Sequence, residues 1–348
     1  MKRIMYLRPI NRKVSFSVVS DRYSKALKEA GYHVVDNDVT KPVVPDERFD
    51  ICIMHPILYP MTKYPRTYRR ILQKCEEWIG FDVSDSDHLS PLAAYVISLF
   101  DRVAVPSKFC AAVFDKSAVT SKIYVVPHHL SDEFMRDDIE TDNAIIKALK
   151  SMKVTKILFF LWHSGYRKGA DIVAEAWARI AKKVDAILIV KRTSHYDPML
   201  EFFYNLPNVI VINEWLSTKD LVALYDAVDI VVVPSRGGGF ELNALEALAR
   251  GRIVITSEWY PIQEYCEPCI KCKSRGRVKI FPSNTAEGLL HDGYGIDPDP
   301  NDFTEKLLYA IEHKDDLLPR FEEYKHVIRE KYSFDSIKSS LIDFVEGV

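Results

Sequence analysis

The sequence predicts two α/β domains, each a doubly wound parallel sheet, facing a cleft. Three observations lead there. The 348 residues suit two domains of ordinary size better than one core. The strand-like runs are continuously apolar, as in "KILFFL" (156–161), "AILIV" (186–190) and "DIVVV" (229–233). A strand that is apolar on both faces belongs in a sheet covered on both faces, and such sheets are parallel. These runs alternate with segments whose apolar residues recur at helical spacing.

Taken in order, "IMYL" (4–7) is the first strand, and residues 20–30 carry Tyr23, Ala26, Leu27 and Ala30 on one helical face that ends at Gly31. "HVV" (33–35) and "DICIM" (50–54) follow as strands, then a helix near 66–77, the strand "RVAV" (102–105), a helix near 107–115 and the strand "KIYVV" (122–126). The acidic "SDEFMRDDIETDN" (131–143) has no period and reads as the end of a domain, so the boundary is set at 145 and the second domain runs over 146–332. That domain opens with "KILFFL". Its first helix, 169–182, has Ile172, Ala176 and Ile180 on one face. "AILIV", "VIVI" (209–212) and "DIVVV" are further buried strands, helices near 217–226 and 240–250 separate them, and "RIVIT" (252–256) closes the core.

A net charge of −2 provides no global positive field for nucleic acid. No apolar run of about 18 residues is present, so no transmembrane helix is expected. The opening "MKRIMYLRPINRK" has an apolar run too short for a secretory leader, and a cytoplasmic location is expected. Gln occurs only at 73 and 263 while 28% of residues are charged, a composition that leans toward a thermophile. Three of the six cysteines form "CEPCIKC": Cys266, Cys269 and Cys272. The spacing admits a zinc or iron–sulfur site if a fourth ligand such as His291 joins it, or a local disulfide. Unligated thiols are the leading reading, and no metal is expected in the reaction.

Two constellations carry the chemistry. In "PSRGGGFELNALEALARG" (234–251) a buried strand runs into three glycines and then a helix. A helix N-terminus presents unpaired N–H groups and the positive end of its dipole, and glycines let an anion approach the main chain. Arg236, Gly237, Gly238, Gly239, Phe240, Leu242 and Asn243 are therefore candidates for holding phosphate. Glu246, farther into that helix, is placed to accept hydrogen bonds from a ribose diol. The plainer alternative is a tight turn and a solvated helix face. In "FFLWHSGYRKGAD" (159–171) a second strand ends at His163, and Ser164 and Gly165 lead to Arg167 and Lys168 before the next helix. Two cations at a helix N-terminus oppose its dipole, so an anion is expected to compensate them. Lys191, which ends the next strand, adds charge, and Asn213 and Trp215 are candidates for contacting a base. Together these residues ask for a nucleoside diphosphate. A dinucleotide oxidoreductase would want G-x-G-x-x-G after the first strand, where "RPINRK" has no glycine.

Several stretches resemble the retaining glycosyltransferases of the GT-B fold, in the glycogen-synthase-like class, also known as group 1 or family 4. They are "SDSDHLSPLAAYVISLFDRVAVPSKFCAAVFDKSAV" (84–119), "VVPHHLSDEF" (125–134), "WHSGYRKGAD" and "LSTKDLVALYDAVDIVVVPSRGGGFELNALEALARGRIVIT", with "YSFDSIKSSLIDFV" (332–345) at the end. The resemblance implies two Rossmann-like domains: an N-terminal acceptor domain, 1–145, on which a last helix, 333–348, packs back, and a C-terminal donor domain. It also implies a nucleotide-sugar donor, transfer with retention, and neither metal nor other cofactor. The Arg167/Lys168 pair would stabilise the departing phosphate. Two departures stand out. The family has two glutamates eight positions apart. Glu246 matches the second, but the first position is Gly238, leaving Glu241 as the substitute. The family's phosphate-loop arginine is His163 here. Asp85 and His88, with Asp87 beside them, lie in a region that faces the donor sugar in relatives.

The competing readings are a nucleotide-sugar-binding protein without catalysis and a nucleotide-sugar epimerase of the same fold. The acceptor is a sugar, lipid or glycoprotein. "HPILYPMTKYPRTYRR" (55–70) places Arg66, Arg69 and Arg70 on one face of a helix starting after Pro65, with Lys63 nearby. This is either a solvated face or a weak peripheral contact with an anionic membrane surface.

Overall fold

A computed structural model describes residues 2–10, 14–162, 164–192 and 196–348. The chain forms two compact units. The first comprises residues 1–129, 281–293 and 332–348, and the second 130–280 and 294–331.

The first unit is built on six strands: β1 (Arg3–Arg8), β2 (His33–Asp38), β3 (Phe49–Met54), β4 (Cys75–Phe81), β5 (Arg102–Val105) and β6 (Lys122–Val125). They lie in the order β2-β1-β3-β4-β5-β6, and every pair is parallel. Met5, Leu7, Ile57, Tyr68, Ile71 and Phe114 are among the buried side chains that fill one face. The helix predicted near 66–77 stops at Leu72, and Cys75–Phe81 is the central strand β4. "CEEWIGF" hides its strand character because Glu76 is exposed and Glu77 and Trp78 are half-buried, which leaves only Cys75 and the last three residues in the core. Pairing with β3 and β5 on either side decides its conformation, not local propensity.

The second unit carries β7 (Thr155–Leu161), β8 (Ala186–Arg192), β9 (Val209–Asn213), β10 (Ile230–Val233), β11 (Ile253–Ser257) and β12 (Ile270–Cys272), all parallel, in the order β12-β11-β10-β7-β8-β9. A short antiparallel pair, β13 (Ser274–Val278) and β14 (Gly295–Pro298), completes it. Counted from β7 the order is 3-2-1-4-5-6, that of a nucleotide-binding sheet. The strand order reverses between β7 and β10, and ligands of such sheets sit at the carboxyl ends of the two strands that flank that point. The two sequence constellations follow exactly those strands.

The domain boundary at 145 is corrected: residues 130–145 belong to the second unit. The segment is not structureless, since Asp132–Met135 is a helical turn. Phe134 is fully buried with its ring 5.9 Å from Tyr225. Arg250 donates to the Phe134 carbonyl, Arg329 pairs with Asp137 at 2.7 Å, and Thr141 donates to Asp220 at 2.5 Å. Asp137 is thus the partner of cations from later in the chain. Residues 281–293 likewise leave the predicted donor domain for the first unit. There Ser90 N donates to the Leu290 carbonyl at 3.0 Å. The last helix, Phe334–Glu346, also lies in the first unit, where Phe344 packs edge-on against Phe81 at 4.9 Å and its carbonyl accepts from Arg102.

Cys266 and Cys269 form a disulfide, which corrects the expectation of unligated thiols; Cys272 is a buried free thiol. Burial pushes that thiol up to about 12, so it stays protonated and donates to the carbonyls of Lys273 and Asp299. Pairing of the first two sulfurs removes the three-thiolate set that "CEPCIKC" suggested, and His291 belongs to the other unit.

Candidate functional site

The loop after β7 turns tightly. Ser164 has φ 78°, Gly165 N donates to Asp197 at 2.6 Å, and Lys168 N donates to the Ser164 carbonyl at 3.0 Å. Gly169 starts the helix Ala170–Ile180 with φ +75°, and a Cβ there would come within 2.2 Å of the Pro234 carbonyl oxygen. Only glycine therefore lets the loops after β7 and β10 touch. His163 lies outside the described residues.

The loop after β10 is stitched to the first by backbone and side chain. Arg236 N donates to the Arg167 carbonyl at 2.7 Å, and Arg167 Nη1 donates to the Gly237 carbonyl at 2.9 Å. Lys168 Nζ lies 2.8 and 2.5 Å from the two carboxylate oxygens of Glu241, which is 1% exposed. The anion that compensates Lys168 is thus a carboxylate of the chain itself. A Cβ on Gly238 would lie 2.4 Å from Glu241 Oε1 and 3.3 Å from Arg167 Nη1. The Glu241 carboxylate occupies the space where a side chain at 238 would begin.

Arg236 does not join this group, a correction to its expected phosphate role. It is 2% exposed, forks onto Asp171 at 2.7 and 2.8 Å, donates Nε to Asp297 at 3.0 Å, and stacks on the Tyr166 ring at 4.0 Å. With its donors spent in this way, it clamps β14 and the helix Ala170–Ile180 to the glycine loop.

The helix after the glycines is Leu242–Ala249, starting two residues later than 240–250 implies, with Glu241 at the N-cap position. Leu242 and Asn243 open it, and Gly239 and Phe240 precede it. Glu246 is 6% exposed and accepts from the Tyr225 hydroxyl at 3.1 Å. Burial first, and then the Glu246 carboxylate, hold that phenol well above its ordinary range, so it remains a donor. Lys191 is buried and donates to the Arg192 and Glu214 carbonyls. Asn213 is exposed at the end of β9, and Trp215 stands edge-on to Trp162 at 5.7 Å.

Four residues escaped the sequence reading. Ser235 is fully buried, and its hydroxyl has no hydrogen-bond partner among the described residues. Tyr225 holds Glu246. Trp259 and Tyr265 donate to the carbonyls of Gly238 and Glu241, each at 2.7 Å. Ser235 sits inside the glycine-loop motif but was not singled out there, whereas the side chains of Tyr225, Trp259 and Tyr265 are brought to the loop and its helix by the fold.

In the first unit, His88 Nδ1 is 2.9 Å from Asp292, and Asp85 N is 3.4 Å from His291 Nδ1. Asp87 shares their loop. Two buried groups lie at strand ends there. Asp82, 2% exposed, accepts from the amides of Ile57, Leu58 and Val83, and burial pushes its carboxyl up to about 7. His55 follows β3 with Nδ1 3.0 Å from the Tyr6 hydroxyl, and burial, helped by Arg8, pushes it down to about 3. Among the described residues no cluster of three or more His, Cys, Asp or Glu is arranged to hold a metal ion. No helix there is long and apolar enough to cross a membrane.

Residues 155–313 match the family model "Glycosyl transferases group 1". Over 363 aligned residues the chain is 27% identical to uncharacterized protein 356 of Sulfolobus islandicus rod-shaped virus 1, covering 99% of this chain and 98% of the relative. It is also 27% identical to a protein of a Sulfolobus islandicus filamentous virus provisionally named glycosyltransferase 45, covering 93% and 88%. Among solved structures, the HepE protein of Anabaena in complex with UDP-glucose superposes with a TM-score of 0.72 over 100% of both chains at 12% identity. The two parallel six-stranded sheets are those of the GT-B fold.

Proposed function

We propose that this chain, whose residues 155–313 match the group 1 glycosyltransferases and whose two sheets are those of the GT-B fold, moves a sugar from a nucleoside-diphosphate sugar to an acceptor hydroxyl with retention at the anomeric carbon. The observation that carries the reading is the convergence of Arg167, Lys168 and Glu241 on one glycine loop at the switch point of the second sheet, with Glu246 on the helix beyond it. The UDP-glucose bound by HepE supports a nucleotide-sugar donor.

Each residue has a task in this reading. Glu246, held by Tyr225, accepts from the ribose hydroxyls. The N–H groups at the start of Leu242–Ala249 and the Ser235 hydroxyl meet phosphate oxygens. A buried hydroxyl without a partner costs about 1–3 kcal/mol, which a bound oxygen would relieve. Glu241 takes over the sugar contact that Gly238 lacks. The acceptor oxygen attacks the anomeric carbon from the face of the leaving group. The bond from that carbon to the phosphate oxygen breaks with its electron pair passing to the diphosphate, which receives the acceptor's proton. Lys168 and Arg167 stabilise the charge that develops there. Asp85 and His88 serve the sugar side, with Lys191, Asn213 and Trp215 toward the base. The reaction needs no metal or other cofactor.

The enzyme works in the cytoplasm of a thermophilic host, where an intracellular disulfide such as Cys266–Cys269 has precedent. Arg66, Arg69 and Arg70 are exposed on the helix Pro65–Leu72 and would give it weak, salt-sensitive contact with an anionic membrane. Co-sedimentation with anionic and neutral vesicles at two salt concentrations tests that contact, and equal recovery from both would end it.

The central test is release of nucleoside diphosphate from a panel of nucleotide sugars, with and without chelator. Turnover that survives chelation and yields an α-linked product from an α-linked donor is expected. Binding without turnover would favour a non-catalytic protein, and sugar inversion without diphosphate release would favour an epimerase.

A further inference from the structure

From Lys271 to Lys279 every second residue is a cation: Lys271, Lys273, Arg275, Arg277 and Lys279. No acidic residue interrupts the run. All of these cations are exposed, whereas Cys272 is buried and Ser274 and Val278 are half-buried. The segment is extended through β12 and β13, and at about 3.3 Å per residue its charges are strung over about 26 Å. Like charges so close repel one another, and the fold does little to offset them. The carboxylates of Asp297, Asp299 and Asp302 lie beside the ribbon of β13 and β14, and each serves another group as well. Asp297 meets Arg275 at 2.5 Å but also the buried Arg236 at 3.0 Å. Asp299 caps the helix Pro300–Glu312 through Asn301 N, and Asp302 accepts from the Lys273 amide, both at 2.8 Å. A run of this density, left positive by its surroundings, fits a polyanion.

The shape of the ribbon narrows the class of polyanion. The register between β13 and β14 slips by one residue between Ser274 and Arg277. An extra residue in one strand moves the side chains after it to the other face. Arg275 accordingly reaches Asp297, whereas Arg277 and Lys279 lie over the Tyr294 ring at 4.8 and 4.4 Å. The cations thus border both faces of the ribbon, and a flat lipid surface meets one face at a time. Along β14 the ribbon is packed on the glycine loop: Ile296 N donates to the Arg236 carbonyl at 2.9 Å, and a Cβ on Gly295 would come within 1.9 Å of that oxygen. A ribbon held in this way does not sink into the groove of a nucleic-acid duplex. A single strand of nucleic acid wants aromatic faces for its bases, and Tyr294 already serves two cations. A flexible chain that carries charge along its length and needs no stacking meets all these conditions, and an acidic sugar chain is such a polymer.

We infer that residues 271–279 are a docking surface for an acidic sugar chain, one that bears carboxylates along its length. The surface adjoins the donor loop, because Asp297 bridges Arg275 to Arg236. The choice of a sugar chain among polyanions rests on the transfer reading above. The test measures binding of fluorescein-labelled polygalacturonate to the full chain by anisotropy at low and high salt, with neutral dextran, oligo-dT and anionic vesicles compared at matched concentrations of charge or sugar. Lys271→Gln with Lys273→Gln removes two exposed charges, and Lys271→Arg with Lys273→Arg keeps them. Wild type should bind polygalacturonate at low salt, release it at high salt and ignore dextran. Each cation contributes about fivefold against an anionic surface, so the Gln variant should bind about tenfold or more weakly and the Arg variant as wild type does. Absence of binding to polygalacturonate at low salt overturns the inference, as does equal affinity in wild type and the Gln variant. Tighter binding of oligo-dT or of anionic vesicles than of polygalacturonate also overturns it, in favour of nucleic acid or a membrane. Affinities for UDP, GDP and ADP, measured on the same samples, judge the donor site separately: the Gln variant should match wild type there, and a wild type that binds no nucleotide would sink the donor reading while the polygalacturonate result stands.

Discussion

Lys168 and Glu241 form a buried ion pair in which the ammonium lies 2.8 and 2.5 Å from the two carboxylate oxygens, with side-chain exposures of 15% and 1%. Removing one partner of such a pair strands the other charge, which typically costs 3–5 kcal/mol. Lys168→Ala should therefore both destabilise the fold and abolish turnover. Lys168→Met with Glu241→Gln should restore most of the stability, because no charge is then stranded, yet leave turnover down about a hundredfold or more. Urea denaturation and steady-state rates on both variants decide this. A double variant with normal turnover would remove the pair from the reaction.

Glu246 and Tyr225 should separate by the size of their effects. Glu246→Ala removes a charged acceptor, and hydrogen bonds to charged groups contribute about 1.5–3 kcal/mol, so nucleotide affinity should fall ten- to a hundredfold. Tyr225→Phe leaves the carboxylate in place and removes only the hydroxyl that holds it at 3.1 Å. A loss of a few-fold is expected there. An effect of Tyr225→Phe as large as that of Glu246→Ala would mean that the phenol, not the carboxylate, meets the ligand.

Asp82 and His55 make opposed contributions to stability with pH. The folded carboxyl of Asp82 titrates near 7, above its unfolded value of about 3.9, because burial disfavours its charge. Between those values the native state keeps a proton that the unfolded state has released, so this contribution falls as pH rises and is constant above 7. The folded imidazole of His55 titrates near 3, below its unfolded value of about 6.5, so its contribution is lost as pH falls through that window. From about pH 4 to 6.5 the two slopes offset each other. Asp82→Asn removes one of them. Relative to wild type, the variant should gain about 1.4 kcal/mol per pH unit between pH 4.5 and 6.5 and nothing further above pH 7.5. Urea titrations at four pH values test this, and a constant difference would show that Asp82 is not the group involved.

These residues also show how far the sequence could be read. The donor loops were legible because each follows a strand apolar on both faces, and the glycines and paired cations announce a helix N-terminus. Arg236 was misread because a cation beside a glycine loop looks the same whether it faces a ligand or is clamped between Asp171 and Asp297, and those partners lie 65 and 61 positions away. The boundary at 145 failed for the same reason: Asp137 looks like a linker charge until Arg329, 192 positions later, is found beside it. Tyr225, Trp259 and Tyr265 are ordinary core residues by pattern, and only the register of β7, β10 and β11 brings their polar atoms to the site, while Ser235 lies in the glycine loop itself but has no charge or spacing that marks it.

The exchange of glycine and glutamate between positions 238 and 241 makes the sharpest test of the site. The family pattern that the sequence resembles has a glutamate at the position of Gly238, eight residues before Glu246. Here the Glu241 carboxylate fills that space, with Oε1 2.4 Å from where a Cβ on residue 238 would be. Gly238→Ala should therefore push the carboxylate off Lys168 and cut kcat/KM about tenfold or more. Adding Glu241→Gly to that variant relieves the collision but strands the Lys168 ammonium without restoring a carboxylate, so neither rate nor full stability should return. Gly238→Glu with Glu241→Gly supplies both the space and the charge, and its kcat/KM should exceed that of the Gly238→Ala/Glu241→Gly variant by at least tenfold. Equal rates for the two double variants would show that the carboxylate at this place does not act on the sugar, and would reduce Glu241 to a partner that keeps Lys168 in position.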